Sequence, residues 1–284
     1  MNHSPYIFKQ KPLKSRFKAI NWANSILKDY HLALKILSIL IKKDISFTFS
    51  HLDEPLKEKE EKKFIEIVKK IKRGMPLAYI LKKEYFFGLE LNVKKNVFIP
   101  RPETEFLVQH ILDLKLKKNS KIIDIGTGSG AIAISLKKER KDLKVFASDI
   151  SLTSLFQAKE NAKKYNLKIK FFCANLLNGV KRKFDLIASN PPYIPREDMK
   201  NLPENVKKEP KIALNGGTQG LEVIKKILNS AKKHLKKDGY LVMEIGDGQF
   251  NKIKEISKKM GYNFQDVIYD FSNIERVVSL KWSN

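Results

Sequence analysis

From Pro102 onward the chain alternates strand-like and helix-like runs, and that alternation restricts the fold more than any other feature of the sequence. KIIDIG (121–126), LKVFASD (143–149), IKFFC (169–173), FDLIASN (184–190) and YLVMEIG (240–246) are short runs rich in β-branched and aromatic residues. Helical stretches lie among them, from about Ser129, from about Ser151, near 219–237 and near 249–260. Such alternation predicts a doubly wound, mostly parallel α/β sheet. Two more strand-like runs, near 263–269 and 275–282, leave no room for a helix between them and predict an antiparallel hairpin at one sheet edge.

The first third of the chain reads differently. Ile20, Trp22, Ala23, Ile26 and Leu27, then Leu32, Leu34, Ile36, Leu37, Leu40 and Ile41, recur at helical spacing, and Phe64, Ile65, Ile67, Val68 and Ile71 form a second stripe that stops at Gly74. Between Pro76 and Pro100 the pattern changes to aromatic and β-branched residues around a turn-like Gly88, as in a β-hairpin. The expected organisation is a helical domain over 1–75, a linker with a hairpin over 76–100, and an α/β domain over 101–284.

With 284 residues, 42% of them hydrophobic, the chain can bury one full-sized core and a smaller second one. Its one cysteine, Cys173, can form no internal disulfide and is far short of a structural zinc site, so packing alone must hold the fold, and no metal is expected. The N-terminal residues have no apolar core of the signal-peptide kind, and no run approaches the ~18 apolar residues of a membrane span. A cytoplasmic protein, monomeric, is the expectation. The formal charge of +25 would favour encounter with RNA or the ribosome, yet the excess is nearly all lysine, spread in doublets such as Lys42-Lys43 and Lys163-Lys164. Contact with nucleic acid is compatible with this charge and not required by it.

Chemistry concentrates in two loops. In IIDIGTGSGAIAI (122–134) a strand runs straight into a helix through Gly126, Thr127, Gly128, Ser129 and Gly130, and the glycines let backbone turn tightly and approach a ligand. A bare tight turn or a dinucleotide loop could look similar. The spacing is not Gly-x-Gly-x-x-Gly, and no Gly-Lys-Ser/Thr follows, which disfavours NAD and ATP. Asp149 ends the next strand, where a carboxylate can accept hydrogen bonds from both ribose hydroxyls of a nucleoside; the competing role is helix N-cap in the turn Asp149-Ile150-Ser151. Together these features resemble the S-adenosylmethionine site of class I methyltransferases. Many of those carry an acidic residue after the third strand against the adenine amino group; here the stretch reads Cys173-Ala174-Asn175-Leu176-Leu177, with Asn175 as the substitute acceptor beside Leu176.

The second loop is Asn190-Pro191-Pro192-Tyr193, at the carboxyl end of the strand FDLIAS. Asn-Pro is common in ordinary turns, but this one lies where α/β enzymes place ligands. An amide nitrogen is a poor nucleophile, because its lone pair is delocalised into the carbonyl. Positioning must compensate: the Asn190 side-chain oxygen and the Pro191 carbonyl can accept the two N–H bonds of an –NH2 group, Tyr193 can stack on a planar substrate, and the rings of Pro191 and Pro192 stiffen the loop. No general base or covalent nucleophile is required.

Over nearly its full length the sequence resembles the release-factor glutamine N5-methyltransferases. GMPLAYI (74–80), FIPRPETE (98–105), DIGTGSG (124–130), NPPYIP (190–195), EPKIALNGG (209–217) and Gly220-Leu221 carry the resemblance. It implies a class I, Rossmann-like domain with a mostly parallel seven-stranded sheet, S-adenosylmethionine held by residues 126–130, Asp149, Asn175, Leu176 and Asn190, and the glutamine of a release factor's Gly-Gly-Gln loop held by residues 190–193. The helical domain would help hold that large substrate. Arg101 and Glu103 would shape the cofactor pocket or the domain joint, or serve as a salt bridge or helix cap. Relatives usually have glycine near Lys82 and an acidic residue at Gln219, so these positions depart from the pattern, as does Asn175. Methylation of exocyclic amines in nucleic acid is the alternative, since the same loop suits any planar –NH2 group; a catalytically inactive ribosome-binding protein is disfavoured by the intact loops.

Overall fold

The computed structural model describes Leu13 and residues 15–283. The chain divides into two compact units, Met1–Ile80 and Leu81–Asn284.

The first unit is helical: α1 (Arg16–Leu27), α2 (Tyr30–Ile41), α3 (Ile45–Ser50), α4 (Glu58–Lys72) and the start of α5 (Leu77–Leu81). Side chains of Ser15, Asp29 and Asp44 accept from the backbone N–H groups of Lys18, Leu32 and Phe47, satisfying donors that the first turns of α1, α2 and α3 leave free. The sequence stripes pack inward: Ile20, Ala23, Leu34, Leu37, Phe64, Ile67 and Val68 form one core. Gly74, at φ +80°, ends α4 by returning its N–H to the Ile71 carbonyl, 2.8 Å away.

The second unit opens with a hairpin, β1 (Lys83–Phe86) and β2 (Leu89–Asn92), turned by Phe87 and Gly88 at φ +48° and +70°. Within 76–100 the strands cover only 83–86 and 89–92; 77–81 is helical and 93–100 is irregular. Its Phe86, Leu89 and Leu91 join the core of the α/β unit, and Asn161 fastens Asn92 by accepting from its N–H (2.8 Å) and donating to its carbonyl (2.9 Å). The elements that follow are α6 (Thr104–Asp113), β3 (Lys121–Ile125), α7 (Ala131–Glu139), β4 (Lys144–Asp149), α8 (Leu152–Lys164), β5 (Lys170–Cys173), β6 (Phe184–Ser189), β7 (Ile194–Pro195), α9 (Glu204–Lys207), β8 (Asn215–Gly217), α10 (Glu222–His234), β9 (Leu235–Glu244), α11 (Phe250–Lys259), β10 (Tyr262–Tyr269) and β11 (Glu275–Trp282).

Seven strands form one sheet in the order β10-β11-β9-β6-β3-β4-β5. The pairs from β9 to β5 are parallel, while β11 runs antiparallel to both β9 and β10. The closing hairpin therefore does sit at one edge, with its second strand inside its first. Side chains alternate across the sheet as strand geometry requires: Ile122, Val145, Ala147, Leu186, Ala188 and Val242 face the core shared with α6 and α7. Ile123, Phe146, Ile187, Leu241 and Met243 face the core shared with α10 and α11. Strand order reverses between β3 and β6, and a doubly wound sheet opens a crevice at the carboxyl ends of strands on either side of such a reversal. Both chemistry-bearing loops leave from those ends.

Candidate functional site

The glycine loop follows β3. Gly126, Gly128 and Gly130 all have positive φ (+70°, +56° and +89°), which costs glycine little and other residues more. A Cβ on Gly130 would meet Ile134 Cδ1 at 2.8 Å and Ala158 at 3.1 Å, so this glycine lets the loop press against α7 and α8. A Cβ on Gly126 would meet nothing within 4 Å and one on Gly128 only Phe98 at 4.0 Å, leaving the loop's outer face open. The N–H groups of Gly126 and Thr127 both donate to the Ser148 carbonyl of β4, at 2.8 and 3.0 Å. Asn161 of α8 donates to the Ser129 carbonyl (2.9 Å), so one buried amide ties the loop to the hairpin.

Asp149 ends β4 with 8% of its surface exposed. Its Oδ2 accepts from the Gly128 N–H (2.9 Å) and its Oδ1 from the Ser151 N–H (2.8 Å). Ser151, rather than Asp149, caps α8, so the capping role weighed against ribose binding falls to another residue. Each carboxylate oxygen retains a lone pair, enough to accept from two hydroxyls. Burial pushes the Asp149 carboxyl above its ordinary range, while the N–H groups of Ser151, Gly128 and Ile150 oppose that shift. The turn after β5 is tied to the same place by the Ala174 N–H on the Asp149 carbonyl (3.0 Å). Asn175 lies exposed in that turn, beside Leu176 at φ +56°. Open glycine faces, an anchored carboxylate and a polar turn suit a nucleoside carrying an amino acid, so the residues present fit S-adenosylmethionine.

The second loop leaves β6 across the crevice. Asn190 Nδ2 donates to Thr104 Oγ1 (2.9 Å), which in turn donates to Glu244 Oε2 (2.6 Å); Tyr193 donates from its hydroxyl to Glu244 Oε1 (3.1 Å). The Asn190 amide thus spends its nitrogen on Thr104 and leaves Oδ1 unspent, the orientation its expected role requires. Tyr193 is held from below by Glu244 with its ring against the α10/α11 core, and burial pushes its hydroxyl far above its ordinary range. Arg101 forms an ion pair with Glu209, which also accepts from the Ile99 N–H at 3.1 Å. It therefore takes the structural alternative, tying 98–101 to the segment after the second loop. Glu103 precedes α6 without capping it through its side chain.

A backing layer lies behind the second loop. β7 pairs with β8. Gln249 donates to the carbonyls of Tyr193 (3.0 Å) and Gln219 (3.3 Å), and its Oε1 accepts from the Gly246 N–H (2.9 Å). Thr104, Asn161, Glu244 and Gln249 escaped the sequence reading. One cue existed for Glu244, a carboxylate inside the apolar run YLVMEIG, which burial obliges to find donors.

Asp124, at the base of the glycine loop, and Glu244 are both fully buried, and burial pushes each carboxyl up to about 7, against hydrogen bonds from Thr127 and from Thr104 and Tyr193. Thr127 Oγ1 donates to Asp124 Oδ2 at 2.6 Å. Their ordinary values are 3.8 and 4.5, so the folded chain holds more protons than the unfolded one up to about pH 7. The stability linked to them is complete below about pH 4 and lost as pH rises through 7. From pH 8 to pH 6 the ligand-free protein should gain about 1 kcal/mol per carboxyl in urea unfolding. Glu244→Gln should remove about half of that slope; an unchanged slope would contradict the assignment.

Comparison with known proteins agrees with this geometry. The family described as "PrmC N-terminal domain" matches residues 18–81, and "Methyltransferase small domain" matches 100–217. The release factor glutamine methyltransferase of Clostridium acetobutylicum is 37% identical over 250 residues, covering 86% of this chain and 88% of that one. That of Borreliella burgdorferi is 35% identical over 268 residues, covering 93% of each. A Pyrococcus furiosus methyltransferase structure shares the fold at TM-score 0.55 and 22% identity, over 73% of this chain and 94% of that one. A ribosomal protein L11 methylase from Lactobacillus delbrueckii subsp. bulgaricus does so at 0.50 and 22%, over 65% and 81%. By its identity to these relatives over most of its length and the match of its helical unit, the chain belongs to the release factor glutamine methyltransferase family.

Proposed function

We propose that this protein transfers a methyl group from S-adenosylmethionine to the side-chain amide nitrogen of the Gly-Gly-Gln glutamine in peptide-chain release factors. The observation that supports the reading is the Asn190 amide, whose nitrogen is engaged by Thr104, leaving its oxygen to accept from a substrate. S-adenosylmethionine, when bound, supplies an electrophilic methyl on a sulfonium. Gly126 to Gly130 and Asp149, with Asn175 and Leu176 at the rim, would hold it. Asn190 Oδ1 and the Pro191 carbonyl would accept the two N–H bonds of the glutamine amide and so fix the direction of its nitrogen. Pro191 and Pro192 restrict the backbone that carries both acceptors. Tyr193 offers the exposed part of its ring to the amide plane while Glu244 holds its hydroxyl. The chain need hold no base, since the product's proton can leave after transfer, and orientation accounts for most of the rate.

No helix of the described residues is long and apolar enough to cross a membrane. The reading includes a monomer acting in the cytosol, where release factors work. Its test is mass spectrometry after incubation with labelled S-adenosylmethionine and a purified release factor, with ribosomal RNA and DNA in parallel. One methyl on the Gly-Gly-Gln glutamine is expected; label on nucleic acid alone would move the substrate to the alternative class.

A further inference from the structure

We infer that Thr104 and Glu244 are positioning residues that set which way the Asn190 amide points, through the chain Glu244 Oε2, Thr104 Oγ1, Asn190 Nδ2. The inference deepens the proposed reaction and rests on it for the meaning of the amide's direction. An amide side chain presents two ends of nearly equal shape, one a donor and one an acceptor. Only the acceptor end can hold a substrate –NH2 group, so a flipped Asn190 would oppose N–H to N–H. The loop itself does not choose between the two. Thr104 does, provided that its hydroxyl hydrogen is already committed elsewhere and only its lone pairs face Asn190. Glu244 makes that commitment: as a carboxylate it only accepts, so both hydroxyls that reach it, Thr104 at 2.6 Å and Tyr193 at 3.1 Å, must donate. Thr104 and Glu244 are 4% and 1% exposed, so water does not compete for these bonds.

The same carboxylate serves two members of the substrate loop, Asn190 through Thr104 and Tyr193 directly. The charged groups facing it are Glu103, which precedes α6, and Arg276 of β11, with the Tyr193 hydroxyl on the loop. Protonated Glu244 can donate to Thr104, whose hydrogen is then released and whose preference for the nitrogen end of Asn190 is lost. The amide's direction is thus secured in the ionised form.

Thr104→Val keeps the shape of the side chain and removes the hydroxyl. It should lower kcat about 10- to 100-fold on the release factor, with the S-adenosylmethionine Kd and the release-factor KM within about twofold. Thr104→Ser restores the hydroxyl and should recover most of the rate. Wild-type kcat should rise with pH through about 7, and Glu244→Gln should flatten that rise. A Thr104→Val enzyme as fast as wild type, or a Thr104→Ser enzyme as slow as Thr104→Val, would overturn the inference. A second readout needs no substrate: the Asn190 side-chain NH2 resonances, identified by their loss in Asn190→Asp, should move in Thr104→Val and stay in place in Thr104→Ser. Unmoved resonances in Thr104→Val would also overturn it. Absence of methylation by the wild type would count against the proposed substrate and leave this second readout standing.

Discussion

Asn190→Ala is expected to lower kcat about 1000-fold or more while S-adenosylmethionine affinity and the melting temperature change little. The size follows from what the amide nitrogen lacks. Its lone pair is shared with the carbonyl, and the proposed reaction invokes no base to strengthen it, so the rate would depend on holding the nitrogen in line with the methyl group. In the proposed reaction Asn190 Oδ1 is one of two acceptors that would do this, and truncation removes it. The fold should tolerate the loss, because Asn190 is only half-buried and makes a single hydrogen bond, to Thr104. The side chain makes no hydrogen bond to the glycine loop or to Asp149, which would carry most of the cofactor contacts, so cofactor affinity provides the internal control. Single-turnover methylation with saturating S-adenosylmethionine, beside calorimetric titration of the cofactor, checks both halves. An enzyme that keeps a tenth of its rate would place the burden of orientation on Pro191 or Tyr193.

The sheet, the helical unit and both loops could be read from the sequence because each is written in local periodicity or in a contiguous motif. Alternating Ile122 and Ile123, or Leu241 and Val242, announce strands buried on both faces. Relations between distant segments left no such trace. Thr104 and Glu244 are 140 positions apart, and nothing local tells a threonine inside a Pro-Glu-Thr-Glu string that its partner is a strand-end carboxylate. Lys82 and Gln219 both have positive φ, +59° and +55°, which nothing in their sequence context announces. Glycine would be relaxed at either position, and Lys82 and Gln219 carry a modest strain instead.

Gly220→Ala is expected to destabilise the protein by roughly 3–5 kcal/mol and to abolish methyl transfer, because this glycine is where the backing layer touches the substrate loop. Its φ of +69° costs a non-glycine residue about 1 kcal/mol by itself. The larger part is steric: a Cβ would sit 1.9 Å from the Tyr193 carbonyl oxygen and 2.6 Å from Gln249 Nε2. Neither can retreat cheaply. The Tyr193 carbonyl is backbone and accepts from Gln249, whose amide is itself fixed by Gly246 and Gln219. Neighbouring Gly216 is also tightly placed, with the Pro192 carbonyl 2.7 Å from where its Cβ would be. The segment 215–220 therefore lies against the carbonyls of Pro192 and Tyr193, and displacing it would move the loop that carries the proposed acceptors. Gly179→Ala separates the two contributions: φ there is +80°, yet a Cβ would meet nothing within 4 Å. That variant should lose about 1 kcal/mol and keep full activity. Urea unfolding and kcat measured on both variants decide the matter. If Gly220→Ala behaved like Gly179→Ala, the 215–220 segment would be a bystander, and the proline rings alone would have to hold the loop in shape.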